Sequence, residues 1–200
     1  MALLTKLSSL NCEKNQLYEI PSELALLPNL LGLSLSENNI SHLPTELGRQ
    51  TSLTTLSLSN NNLPQIPPGL WHWTSLQVLE LSDNLFESLA DLETFTMLKE
   101  LDASCNRLTI IDSELGHLIV LKSLELSGNQ LRGSIPSELL QLSRLSSLSL
   151  ADNGLPEIPE GLEHMTWLHY LYLSNNSLAG SIPPEFSQLV GLDEISATTH

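Results

Sequence analysis

The feature that most constrains this chain is a motif that recurs along its length. The pattern Leu-x-x-Leu-x-Leu-x-x-Asn-x-Leu opens at Leu7, Leu30, Leu53, Leu76, Leu98, Leu121, Leu145 and Leu168, and a ninth, incomplete unit opens at Leu192. Successive openings lie 23, 23, 23, 22, 23, 24, 23 and 24 residues apart. Asparagine holds its slot in every full unit, at Asn15, Asn38, Asn61, Asn84, Asn106, Asn129, Asn153 and Asn176. A fixed period of this length describes an array of one small unit. No unit can bury its apolar side alone, so each covers the next.

Inside a unit the residues set the local structure. Leu124 and Leu126 alternate with Glu125 and Ser127, the period-two pattern of a half-buried strand. After the strand the chain must turn, and a turn buried between neighbours strands backbone groups without ladder partners. Leaving such a group unpaired costs roughly 1–3 kcal/mol. An asparagine amide carries both donors and an acceptor, so the asparagine column is read as a structural ladder rather than as ligand groups.

On these residues the chain resembles the leucine-rich repeat family over essentially its full length. The resemblance implies an α/β leucine-rich-repeat solenoid. A curved parallel sheet lines its concave side, and short helical, 3-10 or irregular segments lie on its convex side. Residues 1–200 are expected to form a single solenoid of about eight full repeats with a partial ninth. The second halves of the repeats come in two forms. "EIPSEL" (19–24), "HLPTEL" (42–47), "QIPPGL" (65–70) and "EIPEGL" (157–162) are similar to intracellular scaffold and Ras-binding repeat proteins, whereas "LRGSIPSEL" (131–139) and "LAGSIPPEF" (178–186) resemble the plant-specific subclass. The mixture leaves the subclass open. Residues 85–97 lack the proline, and Asp112 stands in its place one repeat later; both are read as drift in a structural loop.

The ends are expected to differ. Leu4 stands three residues before Leu7 like the tail of a preceding repeat, and the N-terminal end looks barely covered, open to association. At the other end Leu192, Ile195 and Ala197 are read as a shrinking strand core that stops at His200, with Asp193 and Glu194 blunting the edge. Neither end has a cysteine-rich cap. Cys12 occupies a leucine slot and is expected to be buried. Cys105 lies four repeats away, about 19 Å at ~4.8 Å per strand, so both thiols are expected to be free.

Composition narrows the partners. The chain has 23 acidic against 8 basic residues and a formal charge of −15. Nucleic-acid binding needs a basic footprint, and an anionic membrane surface would repel such a chain. No apolar run is long enough for membrane insertion or a signal-peptide core, and with two free thiols this points to a cytoplasmic setting. A secreted protein or ectodomain fragment is the alternative, with "NIS" at Asn39 and "NNS" at Asn175 as sequons.

The sequence carries no catalytic signature. The sequence offers no phosphate-cradling glycine loop, nucleophile elbow or paired-cysteine metal spacing, and so implies no catalytic residue, metal or cofactor. The serine column from Ser36 to Ser174 is the strand consensus. His72, His117 and His164 share one convex column two repeats apart, about 10 Å, too far to share a metal at ~2.1 Å. Carboxylates on an open sheet face are expected to keep ordinary pKa values, without a cleft to shift them.

Binding is the better use of that face. Most residues expected there are small, such as Ser34, Thr55, Ser57 and Ser147. The exceptions cluster: Glu80, Asp83, Asp102 and Glu125 form an acidic patch beside Lys99 and Lys122, and Trp167, His169, Tyr170 and Tyr172 gather on repeat eight. Tyrosine and tryptophan are frequent interface anchors. The sequence therefore reads as a non-catalytic recognition or scaffold module whose concave face binds a protein of basic or mixed charge. The alternative is the targeting part of a larger receptor or enzyme such as a kinase or ubiquitin ligase.

Overall fold

A computed structural model describes residues 4–132, 134–158, 161–179 and 181–198. Gly133 and Gly180 of the longer repeat form, Pro159 and Glu160 of the shorter one, and His200 lie outside the described residues. Each repeat contributes one strand of three residues: β1 (Ser9–Asn11), β2 (Gly32–Ser34), β3 (Thr55–Ser57), β4 (Val78–Glu80), β5 (Glu100–Asp102), β6 (Ser123–Glu125), β7 (Ser147–Ser149), β8 (Tyr170–Tyr172) and β9 (Glu194–Ser196). They pair in sequence order as one open nine-stranded parallel sheet. Pairing partners such as Leu10–Leu33, Leu79–Leu101 and Leu124–Leu148 step by the repeat spacing, so each motif position forms a column across the stack.

Between strands the chain crosses to a second layer of short 3-10 turns, Ser22–Leu26, Thr45–Arg49, Pro68–Leu70, Ala90–Thr94, Ser113–His117, Leu139–Gln141, Leu162–His164 and Pro184–Gln188. One leucine of each of the first seven turns points inward, and Leu24, Leu47, Leu70, Leu92, Leu115, Leu139 and Leu162 are all buried, while the eighth turn places a partly buried Phe186 there. They meet the strand leucines to give one continuous core. Each buried leucine contributes roughly 1.5–3 kcal/mol relative to exposure. Adjacent turns approach closely enough that a Cβ on Gly48 would fall 1.8 Å from the carbonyl oxygen of Gly69.

The asparagines sit where the strands turn in. The Asn129 amide donates to the carbonyls of Ala103, Leu126 and Ser127 at 3.0, 3.0 and 3.3 Å, and its oxygen accepts the Leu108 N–H at 3.0 Å. Asn84 repeats the pattern on Leu58, Leu81, Ser82 and Leu63. One side chain thus ties its own turn to the repeat before it. The preceding residue in each unit adopts a left-handed conformation, with φ between 52° and 68° at Lys14, Glu37, Asn60, Asp83, Cys105, Gly128, Asp152 and Asn175. Only Gly128 tolerates this freely; the other side chains are held there by backbone bonds across the stack, such as Asp83 N–H to Ser104 at 3.0 Å.

On the turn side another column meets the same need by other means. Gln50 donates its amide to the Leu24 and Leu27 carbonyls at 2.7 and 2.9 Å. One repeat later the buried Trp73 indole donates to Leu47 at 2.9 Å, with its ring 6.3 Å from Phe95. The irregular middle is not simple drift. Leu89 stands where other repeats carry Pro21, Pro44 and Pro67, and it brings an N–H that proline lacks. The buried Asp112 carboxylate accepts that N–H at 2.6 Å and the Ser88 hydroxyl at 3.2 Å. The two departures compensate each other.

The end repeats are less covered than the middle of the stack. Cys12 is half-buried rather than buried, and Leu7, Leu10 and Leu17 are only partly covered, because the first repeat has a neighbour on one side. At β9, Ile195 is 40% exposed and Ala197 is exposed, so that strand has no closed core of its own. Both cysteines are free, as their separation requires.

Two substitutions test these contacts. Asn129→Ala is expected to lower stability by about 1–3 kcal/mol in chemical denaturation, while Asn15→Ala costs less, because Asn15 donates only within its own repeat. An equal loss at both positions would remove the cross-repeat account. Asp112→Ala is expected to cost about 1–3 kcal/mol by stranding the Leu89 N–H, with Asp112→Asn recovering part of it through the retained acceptor.

Candidate functional site

The strand leucines point inward, so their neighbours form the open face of the sheet. Two columns result. One runs Ser9, Gly32, Thr55, Val78, Glu100, Ser123, Ser147, Tyr170, Glu194, and the other Asn11, Ser34, Ser57, Glu80, Asp102, Glu125, Ser149, Tyr172, Ser196. Parallel sheets are usually covered on both faces. Here one face is uncovered, and serine, threonine and glycine keep much of its floor low.

Acidic side chains interrupt that floor in the middle. Glu80 pairs with Asp102 and Asp102 with Glu125, so three carboxylates stand side by side on adjacent strands. Glu100 adds a fourth from the other column and was missed at the sequence level, although it flanks Leu101 as Asp102 does. They border a shallow hollow of about 120 Å³. Asp102 is held by the Ser104 N–H at 2.9 Å and the Ser104 hydroxyl at 2.6 Å. Contrary to the expectation of ordinary pKa values, burial pushes the Glu125 carboxyl up, and Asp102 adds to the rise. Hydroxyls of Ser149, Ser123 and Ser147 pull it partly back. Neighbouring strands desolvate the group even without a deep cleft.

Asp83 lies off the strand, in the left-handed turn beyond β4. There it joins Asp102 and Asp152 around Cys105, whose thiol is held above its ordinary value of 9.0 by desolvation first and these carboxylates second. Such a thiol stays protonated at neutral pH and is a weak nucleophile.

The aromatic group divides in the same way. Tyr170 and Tyr172 flank Leu171 on the open face, with Tyr170 41% exposed. Neither caps an edge, because β9 pairs alongside them. Partial burial, then Glu194 and Glu125, raise the Tyr172 phenol. His169 and Trp167 precede β8 at the margin of the sheet; His169 bonds Asp193 through Nδ1 at 2.9 Å, and its ring lies 6.4 Å from Tyr170. Lys99 and Lys122 share that margin, and Lys99 donates to Gln77 at 2.8 Å. The structure therefore brings Glu80, Asp102, Glu125, Tyr170 and Tyr172 onto one face and places Asp83, Trp167 and His169 at its borders. His117 and His164 sit on the turn side near Glu93 and Glu163, at 3.8 and 3.6 Å. Among the described residues no group of three or more His, Cys, Asp or Glu could hold a metal ion, and no helix is long and apolar enough to cross a membrane.

The raised Glu125 carboxyl has a direct consequence for stability. The folded chain holds this proton more tightly than the unfolded one, so ionisation destabilises the fold. Glu125→Gln is expected to match the wild type at acidic pH. It should become the more stable of the two as pH rises from the ordinary value of 4.5 through the raised value. Denaturation midpoints at acidic and neutral pH check this, and a constant difference would contradict it.

Comparison with known proteins follows the same lines. Residues 51–94 match the family model of paired leucine-rich repeats, and residues 97–118, 120–142 and 167–189 match that of the single repeat. No curated protein matches the sequence significantly. Among solved structures, a leucine-rich repeat protein of Leptospira interrogans is 29% identical with a TM-score of 0.81, over 98% of this chain and 62% of its own. The ectodomain of the Arabidopsis thaliana membrane receptor kinase GASSHO1/SCHENGEN3, in complex with Casparian strip integrity factor 2, is 33% identical with a TM-score of 0.83, over 96% of this chain and 24% of its own. Internalin C2 of Listeria monocytogenes is 26% identical with a TM-score of 0.84, over 96% of this chain and 80% of its own. The chain thus spans less than two thirds of the Leptospira protein and about a quarter of the plant ectodomain. Repeat motif, column register and family match agree, and the chain belongs to the leucine-rich repeat family.

Proposed function

We propose that the chain is a non-catalytic recognition module that binds an extended protein or peptide of basic or mixed charge across the open, concave face of its sheet. One observation carries this reading: Glu80, Asp102 and Glu125 stand in register on a low floor that leads to Tyr170 and Tyr172. Nine strands at ~4.8 Å give a face about 38 Å long, enough for one side of a standard interface of ~800 Å². The carboxylates act mainly on encounter, through long-range attraction that salt screens. The tyrosines supply contact area with few rotamers to freeze, so they act on residence time. The similar plant ectodomain in complex with Casparian strip integrity factor 2 supports the reading.

Selection of a random peptide display library on the full chain tests it. Enriched peptides are expected to carry lysine or arginine, and to be lost on the variant Glu80→Gln, Asp102→Asn, Glu125→Gln through slower association with a flatter salt dependence. Tyr170→Ala with Tyr172→Ala should speed dissociation and weaken binding by about 2 kcal/mol or more, whereas Trp71→Ala on the turn side leaves it unchanged. Enriched peptides without basic residues, or binding lost only with Trp71→Ala, would refute the proposal.

A further inference from the structure

The margin of the sheet before β6, β7 and β8 carries charge of the opposite sign. An open hollow of about 620 Å³ is lined there by Lys122, Ser143, Arg144, Ser146, Trp167 and His169. The repeat places them: the Ser146 N–H donates to Lys122 at 2.8 Å and the His169 N–H to Ser146 at 2.9 Å, so these three form one column. Arg144 and Trp167 occupy equivalent positions of adjacent repeats, beside that column.

In a chain with 8 basic residues and a charge of −15, two of its cations share this hollow, and no carboxylate lines it. Neither Lys122 nor Arg144 forms an ion pair with a described residue. His169 is engaged through Nδ1 by Asp193, and Nε2 has no partner among the described residues. Trp167 is 63% exposed, an unusual state for an indole, with its apolar face open to contact. The net negative charge does not cancel this, because screening over about 8 Å at physiological salt leaves the local potential to the nearest groups.

We infer that this hollow is an anion subsite, taking a carboxylate or phosphate group borne on an aromatic or apolar body. Arg144 offers paired donors to two anionic oxygens, Lys122 a point charge, and Trp167 a surface for the attached ring. The inference extends the recognition reading above: the bound peptide would be dipolar, with its cation over Glu80, Asp102 and Glu125 and its acidic group here. Mixed charge in the partner then has a structural basis.

Small probes test the subsite apart from the rest of the face. The isotope-labelled full chain is titrated with phenyl phosphate and 3-phenylpropionate, followed at the Trp167 indole N–H and the Lys122 and Ser146 amides. Saturable shifts confined to repeats six to eight are expected for both. Tighter phenyl phosphate binding points to a phosphorylated residue as the natural source, and tighter 3-phenylpropionate binding to a carboxylate. The variant Lys122→Gln, Arg144→Gln should weaken binding by at least about tenfold, the loss of one charge-assisted hydrogen bond or more. Both side chains are exposed, so the remaining amide spectrum should be unchanged. Equal binding of the neutral 3-phenylpropionamide would show an apolar hollow without anion recognition and overturn the proposal. Shifts spread equally to Lys14, Arg49 and Arg107, or affinity retained by the double variant, would do the same. Such a failure leaves the acidic strip untouched, because the peptide selection reads different residues.

Discussion

A buried backbone group without a strand partner is the constraint on which the rest of this structure depends. Strands of three residues pair few amides, and every repeat then turns inward through the core. Leucine burial supplies the larger free energy, but it is non-directional and would accept many stackings. The asparagine amide is directional. It satisfies carbonyls of its own turn and of the preceding repeat, and its oxygen takes the N–H that opens the return path, as Asn84 does between Leu58 and Leu63. Together with the left-handed residue before it, this selects one stacking among those that bury leucine equally well.

That internal satisfaction leaves the open sheet face with little structural duty. Most side chains on the face make no bond to the backbone, Asn11 and Asp102 being two that do, so the face can vary without unravelling the stack. A serine floor, a carboxylate strip and a tyrosine pair can therefore follow one another along a uniform scaffold. The same geometry sharpens their chemistry. In-register strands hold like charges side by side at about 4.8 Å, and such pairs oppose each other. At Glu125 burial between its neighbours raises the carboxyl pKa first, and the charge of Asp102 adds to it.

The turn side shows how tolerant the plan is, provided the backbone is served. Gln50 and Trp73 are chemically unlike, yet each donates to a carbonyl of the repeat before it. Leu89 abandons the proline of its column, and Asp112 absorbs the N–H that results. The outermost repeats show the converse. Leu10, Cys12 and Ile195 hold core positions of the motif but are only partly covered, because burial here is conferred by a neighbour on each side.

The sequence alone determined the repeat, its register, the strand and turn of each unit and the inward direction of leucine and asparagine. All of these follow from spacing between residues close in the chain. It also indicated the face on which Glu80, Asp102, Glu125, Tyr170 and Tyr172 stand, since alternation about a buried leucine leaves no other side. Only the tertiary structure decided what depends on contact between repeats. Asp83, Trp167 and His169 proved to lie at the borders of the face, because the strands end after three residues. Glu125 has a raised pKa because strands on both sides shield it, and Asp112 serves Leu89 across a repeat boundary. Lys122, Arg144 and Trp167 meet in one hollow although they span 46 positions of the chain. Motif spacing places a residue in its own repeat, whereas solvation, charge and partnership depend on the repeats beside it.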